Sequence, residues 1–132
     1  MSTNKTQKYQ LHAWEPGDHF LREEFNENFS LLDEKAVQVL FGTYQGDGRS
    51  EREISLGLTP LAMLVSDSNG VFDTSYSYHG GLTLRGHPSI MAETRRLLEI
   101  VEGGFKVYTD NGGSPSCTSN NKNLRYYYLV FF

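Results

Sequence analysis

The sequence predicts a mainly β fold, an antiparallel β-sandwich of jelly-roll type preceded by one N-terminal α-helix. Three observations carry this reading. Aromatic residues reach 13 % through eight Tyr and eight Phe, beside abundant Asn, Ser and Gly, a mixture that favours strands and turns. From Val37 onward the chain breaks into short runs of Val, Ile, Leu, Tyr and Phe, each ended by Gly, Asn, Asp or Pro, the pattern of strands joined by turns. Ahead of that point one segment repeats its apolar residues at helical spacing. A chain of 132 residues supports one ordinary domain with a short appendage. The change of texture divides it into an arm and helix over 1–37 and a β-module over 38–132.

Taken in order, residues 1–10 are polar and read as extended or disordered, and Leu11 and Trp14 are the first anchors before a turn at Pro16-Gly17. Asp18 reads as the N-cap of a helix through HFLREEFNENFSLLDEKAV. There Leu21, Phe25, Phe29, Leu32 and Ala36 follow one another at steps of 4, 4, 3 and 4 and form a single apolar stripe opposite a charged face. A helix of about 19 residues is roughly 28 Å long, and its stripe needs a cover. The pattern fits equally a helix lying on its own β-module and one that meets copies of itself, since barely two and a half heptads are present.

The strand runs are QVLFGTY, REISLGL, LAMLVSD, GGLTL, FKVYT and LRYYYLVFF, joined by short turns and by two longer loops, 66–79 and 110–123. The segment SIMAETRRLLEIVEGG admits two readings. Ile90, Thr94, Leu97, Leu98 and Val101 keep helical spacing after a Ser cap. Against this, Leu98 and Ile100 alternate with Glu99, Gly103-Gly104 supplies a turn, and Phe105 and Val107 alternate with Lys106 and Tyr108. The hairpin is the preferred reading.

Composition narrows the function. A formal charge of −4, spread in short mixed runs, argues against nucleic acid or an anionic membrane surface as partner. No run approaches the roughly eighteen apolar residues of a membrane span, and MSTNKTQKYQ lacks the apolar centre of a secretory signal. The chain therefore reads as soluble and made in a cytoplasm, without membrane insertion.

Few motifs point to chemistry. In GTYQGDGRSEREISLGLTP, Gly42 to Pro60, the glycines lack the following Lys and hydroxyl of a phosphate-binding loop and lead into the alternation of a strand. They read as turn residues, with Arg49 and Arg52 on the wet side. His12, His19, His79 and His87 are scattered without metal-ligand spacing. His12 or His19 beside the helix could meet its own copies on a symmetry axis, but no metal or other cofactor is expected. Asp47, Asp67, Asp73 and Asp110 fall in turns, where Asp is an ordinary turn former, and no G-x-S-x-G elbow is present. No catalytic residue is assigned. Cys117, the single cysteine, reads as a small exposed loop residue. The two long loops set Phe72, Tyr76, Tyr78 and His79 beside Asp67, Asn69 and Asp73, and add amides and hydroxyls from TDNGGSPSCTSNNKN. Flat rings beside short polar groups suit sugars or protein surfaces. Asp73, Tyr76, Tyr78, His79, Asp110 and Asn111 are the candidate ligand-binding residues, with coverage of a core edge or subunit interface as the competing role of the tyrosines.

Several stretches, spread over about residues 11–132, also resemble a known family. LHAWEPGDHFLREEFNENFSLLDEKA, through Glu24-Phe25-Asn26-Glu27, Phe29, Leu32 and Asp33, is similar to the helical segment at the start of tail and tail-fibre proteins from phages and prophages of Gram-positive bacteria. The succession Gly42, Tyr44, Gly46, Asp47, Gly48, then Ile54, Leu56, Gly57, Leu58 and Pro60, resembles their β-module, and GGLTL, LEIVEGGFKVY and RYYYLVFF resemble its later strands. The likeness departs most in the 66–79 and 110–123 loops. It implies a non-enzymatic virion protein, a tail-fibre or receptor-binding component made in the bacterial host cytoplasm. It also implies a homotrimer built on Leu21, Phe25, Phe29 and Leu32, with other tail or baseplate proteins as partners and a host surface glycan or protein as the target of its distal loops. A small carbohydrate-active depolymerase using loop carboxylates, or a ligand-free tail-tip or baseplate plug, are the alternatives.

Overall fold

Period-two alternation of inward and outward residues builds most of the chain, and a single helical stripe builds the rest. The computed structural model describes residues 1–132, which form two compact units, Met1–Val37 and Gln38–Phe132. No helix is long and apolar enough to cross a membrane.

In the first unit, β1 (Asn4–Lys5) pairs antiparallel with β2 (His12–Ala13), and α1 spans Arg22–Lys35. Polar contacts join them. The Asn28 side chain mimics a strand partner, accepting from the His12 backbone N–H at 2.6 Å and donating to the His12 carbonyl at 2.9 Å. Glu24, buried on the helix, accepts from the Ser2 N–H at 2.8 Å and from the Trp14 indole at 3.2 Å. The expected Asp18 cap is not formed, and the helix starts later and is shorter, at 14 residues. Asp18 instead accepts from the backbone N–H groups of Glu15 (2.8 Å) and Thr3 (3.0 Å), which hold its carboxyl below the usual carboxylate range. Leu21 stands at the cap position in extended conformation with no side-chain cap, and Glu23 and Glu24 supply the favourable charge of the first turn.

The second unit is mainly β. Its strands are β3 (Val39–Gln45), β4 (Glu51–Ser55), β5 (Ala62–Asp67), β6 (Ser77–Tyr78) and β7 (Gly81–Leu84), followed by β8 (Ser89–Met91), β9 (Arg95–Val101), β10 (Gly104–Asp110), β11 (Ser116–Thr118) and β12 (Arg125–Phe131). One antiparallel sheet runs β3-β12-β5-β7. The other centres on β10, which pairs with β9 on one edge and β4 on the other; β8 extends it beyond β9, and β11 joins at Thr109 and Asp110 and carries β6 in parallel. Residues 89–102 hold the strands β8 and β9 joined by a turn, and β9 and β10 form the expected hairpin, with Val101 facing Gly104. The two residues between include Gly103 at φ 77°, a conformation that glycine adopts without steric cost.

Side chains of both sheets share the core. Tyr44 stacks on Tyr126 at 4.9 Å, and Phe105 meets the edge of Tyr128 at 5.3 Å, with Met63, Val65, Leu98, Val107 and Val130 wholly buried around them. The buried tyrosine hydroxyls are satisfied: Tyr44 donates to the Ser119 carbonyl at 2.6 Å and Tyr126 donates to the Thr118 carbonyl. Burial raises the Tyr126 pKa to about 12. Cys117 is also in the core, contrary to the expected exposed loop position. Its strand β11 is too short to show as alternation, yet its pairing with β10 carries the thiol inward to donate to the Arg96 carbonyl at 3.3 Å, and burial pushes the thiol pKa up.

Candidate functional site

The two long loops, distant in sequence, are sewn together. Strand β6 in the first and β11 in the second pair in parallel, Ser116 donates its N–H to the Tyr76 carbonyl at 2.8 Å, and Thr118 Oγ1 donates to the Tyr78 carbonyl at 3.1 Å. The backbone of each loop thereby satisfies the other. Of the expected ligand-binding residues, Tyr76 stands out at 78 % exposure with Phe72 nearby in sequence at 43 %. Asp73 is exposed and forms a backbone bridge to Tyr78, which is half-buried against the core.

His79 is buried and fully engaged. Its Nδ1 lies 2.8 Å from Asp67 Oδ2 and its Nε2 lies 2.8 Å from Ser77 Oγ. Asp67, His79 and Ser77 thus stand in the order of a hydrolytic triad. The same groups also hold the loop. Asp67 Oδ1 accepts from the backbone N–H groups of Asn69 (2.8 Å) and Val71 (3.0 Å), His79 N–H donates to the Phe72 carbonyl at 2.7 Å, and Ser77 Oγ is shared with Thr74 Oγ1 at 3.0 Å. Burial alone would raise the Asp67 pKa; the Val71 N–H, His79 and the Asn69 N–H outweigh it and hold the carboxyl below its ordinary value.

Asp110 is likewise committed. Its Oδ2 accepts from Arg95 Nε at 2.8 Å and its Oδ1 from the Gly112 N–H at 2.8 Å, and these two, the Gly112 N–H foremost, lower its pKa. Arg95 also donates to the Asp110 and Pro115 carbonyls, which locks the base of the second loop. Asn111 lines an open polar hollow of about 420 Å³ together with Asp47, Gly48, Thr109, Asn121, Lys122 and Asn123. The glycine-rich stretch forms one wall: Gly46 N–H donates to the Leu124 carbonyl at 3.0 Å and Gly48 N–H to the Asn120 carbonyl at 2.8 Å. A Cβ at Gly46 would overlap the Asn121 carbonyl. Asp47 accepts from the Arg49 N–H at 2.9 Å and from the Asn120 amide at 2.6 Å, and these contacts, the Arg49 N–H first, lower its pKa.

Two apolar surfaces stand uncovered. Along the helix and just before it, Phe20, Phe25 and Phe29 form a ladder with Trp14, at centroid spacings of 4.8, 5.2 and 4.8 Å, yet Phe29 is 56 % exposed. Leu21 and Leu32 are half-buried. On the β3-β12-β5-β7 sheet, cross-strand registers set Phe41, Leu129, Leu64 and Leu82 in one row and Val39, Phe131, Ala62 and Leu84 in the next. The opposite face carries the buried Met63, Val65, Tyr126 and Val130, so these rows face outward, with Phe41 79 % exposed. A hollow of about 420 Å³ opens there between Phe41, Leu64, Phe72, Tyr127 and Leu129.

No group of three or more His, Cys, Asp and Glu side chains gathers as a metal site. Both ring nitrogens of His12 are engaged, Nδ1 with Ser2 Oγ at 2.6 Å and Nε2 with Glu27 at 2.8 Å. Loop composition singles out Asn111, while Thr109 and Asn121–Asn123 lie in the same amide- and hydroxyl-rich stretch without being marked as its neighbours. Those residues come together only through the approach of the glycine turn to the segment before β12, which no local motif announces. Compared with family models, curated proteins and solved structures, the chain gives no match.

Proposed function

We propose that the chain is a non-enzymatic structural protein of a phage virion. It is a tail-fibre or receptor-binding component that assembles as a homotrimer, with a jelly-roll-like β-sandwich presenting its loops to the host cell surface. The observation that carries the reading is the exposed apolar stripe of the helix, with Phe25 40 % and Phe29 56 % exposed beside half-buried Leu21 and Leu32. Contiguous apolar surface of this kind marks an association site, and the stripe's heptad-like spacing suits helices meeting copies of themselves. The resemblance to tail-fibre proteins supplies the number three and the virion setting, with other tail or baseplate proteins as neighbours. The outward apolar rows through Phe41 and Leu82 give the β-module a second surface for contact between copies.

Exposed Tyr76 and Phe72, on a loop stiffened by its pairing with β11 and by the Asp67–His79–Ser77 chain, supply the rigid amphipathic contact area that recognition of a glycan or protein uses. Repeated copies raise weak contacts to useful avidity. Sedimentation equilibrium at micromolar concentration tests the assembly: a trimer is expected, and a strict monomer counts against the reading. Phe25→Asp with Phe29→Asp is expected to dissociate it; unchanged assembly means that the stripe packs elsewhere. Adhesion of the assembled protein to bacterial cells, without release of oligosaccharide from their wall polysaccharide, tests the second half, and release would return the depolymerase.

A further inference from the structure

We infer that the polar hollow between the glycine turn and Asn121–Asn123 is a subsite for one neutral, hydroxyl-rich unit, a sugar or similar polyol. The inference rests on the surface-adhesion reading above and gives it a location distinct from the aromatic loop.

The hollow is built before any ligand arrives. Buried Asn120 clamps its two walls together: its Nδ2 donates to Asp47 Oδ1 at 2.6 Å and to the Arg49 carbonyl at 3.1 Å, and its Oδ1 accepts from the Asp47 N–H at 3.2 Å. Asn121 N–H donates to Tyr126 Oη at 3.1 Å, and Gln45 Nε2 donates to the Lys122 carbonyl at 2.8 Å. The backbone that frames the hollow is thus held by the core itself, and little ordering remains to oppose binding.

Several side chains along the hollow are free, although Asp47 Oδ1 and Asn121 Oδ1 are engaged. Asn111, Lys122 and Asn123 commit no side-chain atom to another residue, since the bonds of Lys122 and Asn123 run through their backbones. Asp47 Oδ2 has only Arg52 Nε at 3.6 Å and Arg49 Nε at 3.7 Å, ion pairs too long to use its lone pairs as hydrogen bonds. Independent of these, Thr109 Oγ1 is the buried side-chain oxygen of the molecule that lacks any hydrogen-bond partner. Such atoms are few in native structures, and strain, an ordered water or a bound group accounts for them. Thr109 lines both this hollow and the adjoining one shared with Arg95 and Tyr108. Its residue is only partly covered, which sets the unpartnered oxygen just behind the wall of the hollow.

The donor and acceptor pattern selects the ligand. A carboxylate oxygen that only accepts, an ammonium that only donates and amides that do both match hydroxyl groups, which donate to the first and accept from the second. An isolated phosphate or carboxylate would lie against Asp47, and an apolar ligand would strand every one of these groups.

The test is an amide NMR titration of the full chain with glucose, galactose, N-acetylglucosamine and glycerol as separate probes. At least one hexose is expected to give saturable shifts, with Kd on the order of millimolar, at Gly48, Thr109, Asn111 and Asn121–Asn123. Lys122→Ala and Asn123→Ala are expected to weaken it roughly tenfold with the melting temperature unchanged, because neither side chain is used in folding. Thr109→Val should weaken binding while leaving stability equal or higher. The absence of saturable shifts with all four probes, shifts confined to Phe72 and Tyr76, or parent-like affinity in all three variants overturns the subsite. A trimer that adheres to cells but shows none of these shifts removes this inference alone; a monomer that shows them removes the trimer alone.

Discussion

The two units of the chain are organised on opposite principles. In Gln38–Phe132 the large side chains turn inward: Phe105, Tyr126, Met63, Leu98 and Val107 are wholly buried. In Met1–Val37 the buried side chain of the helix is Glu24, a carboxylate satisfied by Ser2 and Trp14, while the phenylalanines face out. The first arrangement draws its stability from apolar burial. The second is held by hydrogen bonds, each contributing about 0.5–1.5 kcal/mol net, so its apolar surface is left for something else to cover. The lesson is that a polar scaffold can display a hydrophobic face, and the face then belongs to assembly more than to folding.

The largest effect should come from the β-module's centre. Phe105→Ala removes a fully buried ring that touches Tyr44 and Tyr128, at a cost of about 3–5 kcal/mol, readable by urea unfolding followed through tyrosine near-UV dichroism. Trp14 is the chain's single tryptophan and reports the first unit separately; its signal should move far less, and an equal shift of both would break the contrast between the units. Next comes Glu24→Ala, which strands the Ser2 N–H and the Trp14 indole and should cost about 1–3 kcal/mol, seen in the Trp14 fluorescence transition alone.

Acid sharpens the comparison further. Asp67 has a folded pKa below its unfolded value, so its stabilisation is complete above the ordinary carboxylate pKa of about 3.9 and is lost as pH falls through the lower folded value. The β-module's stability should therefore decline with acid over that window, and Asp67→Asn should flatten the slope; a slope unchanged by the substitution would mean that Asp67 gains nothing from His79 and its backbone donors. The smallest effect is expected from Phe29→Ser in the dissociated chain at high dilution, about 0.5–1.5 kcal/mol for the loss of its edge contact with Phe25. A larger loss would show that the stripe supports its own unit.

Much of the β-module was legible because its strands are long enough to alternate. Leu98 and Ile100 against Glu99, followed by a Gly turn, decided for a hairpin over the helical spacing that Ile90, Thr94 and Leu97 also offered, and the pairing of β9 with β10 bears the choice out. Strands of two or three residues, β6, β8 and β11, left no such trace, and the error over Cys117 follows from the last of them. Asp18 has the chemistry of a cap, but the backbone donors of Thr3 and Glu15 claim it first. At the candidate site, Asn111 and the exposed Tyr76 could be picked out from loop composition. The engagement of His79 and the pairing of Asp47 with Asn120 could not, since each depends on contacts between residues far apart in sequence or folded back within a loop.

The place of β12 in its sheet has a consequence in time. Strands β3 and β5 lie on either side of it and meet no other strand of the sheet except β7 beyond β5. During synthesis Val39–Gln45 must wait, unpaired, and Ala62–Asp67 has only Gly81–Leu84 to pair with, until Arg125–Phe131 has left the ribosome. The sheet closes after translation of that segment, in one late and non-local step of the kind that is slow and exposed to aggregation. Cells would have to shelter those waiting strands, and expression at low temperature or with a chaperone that holds extended chain should raise the soluble yield.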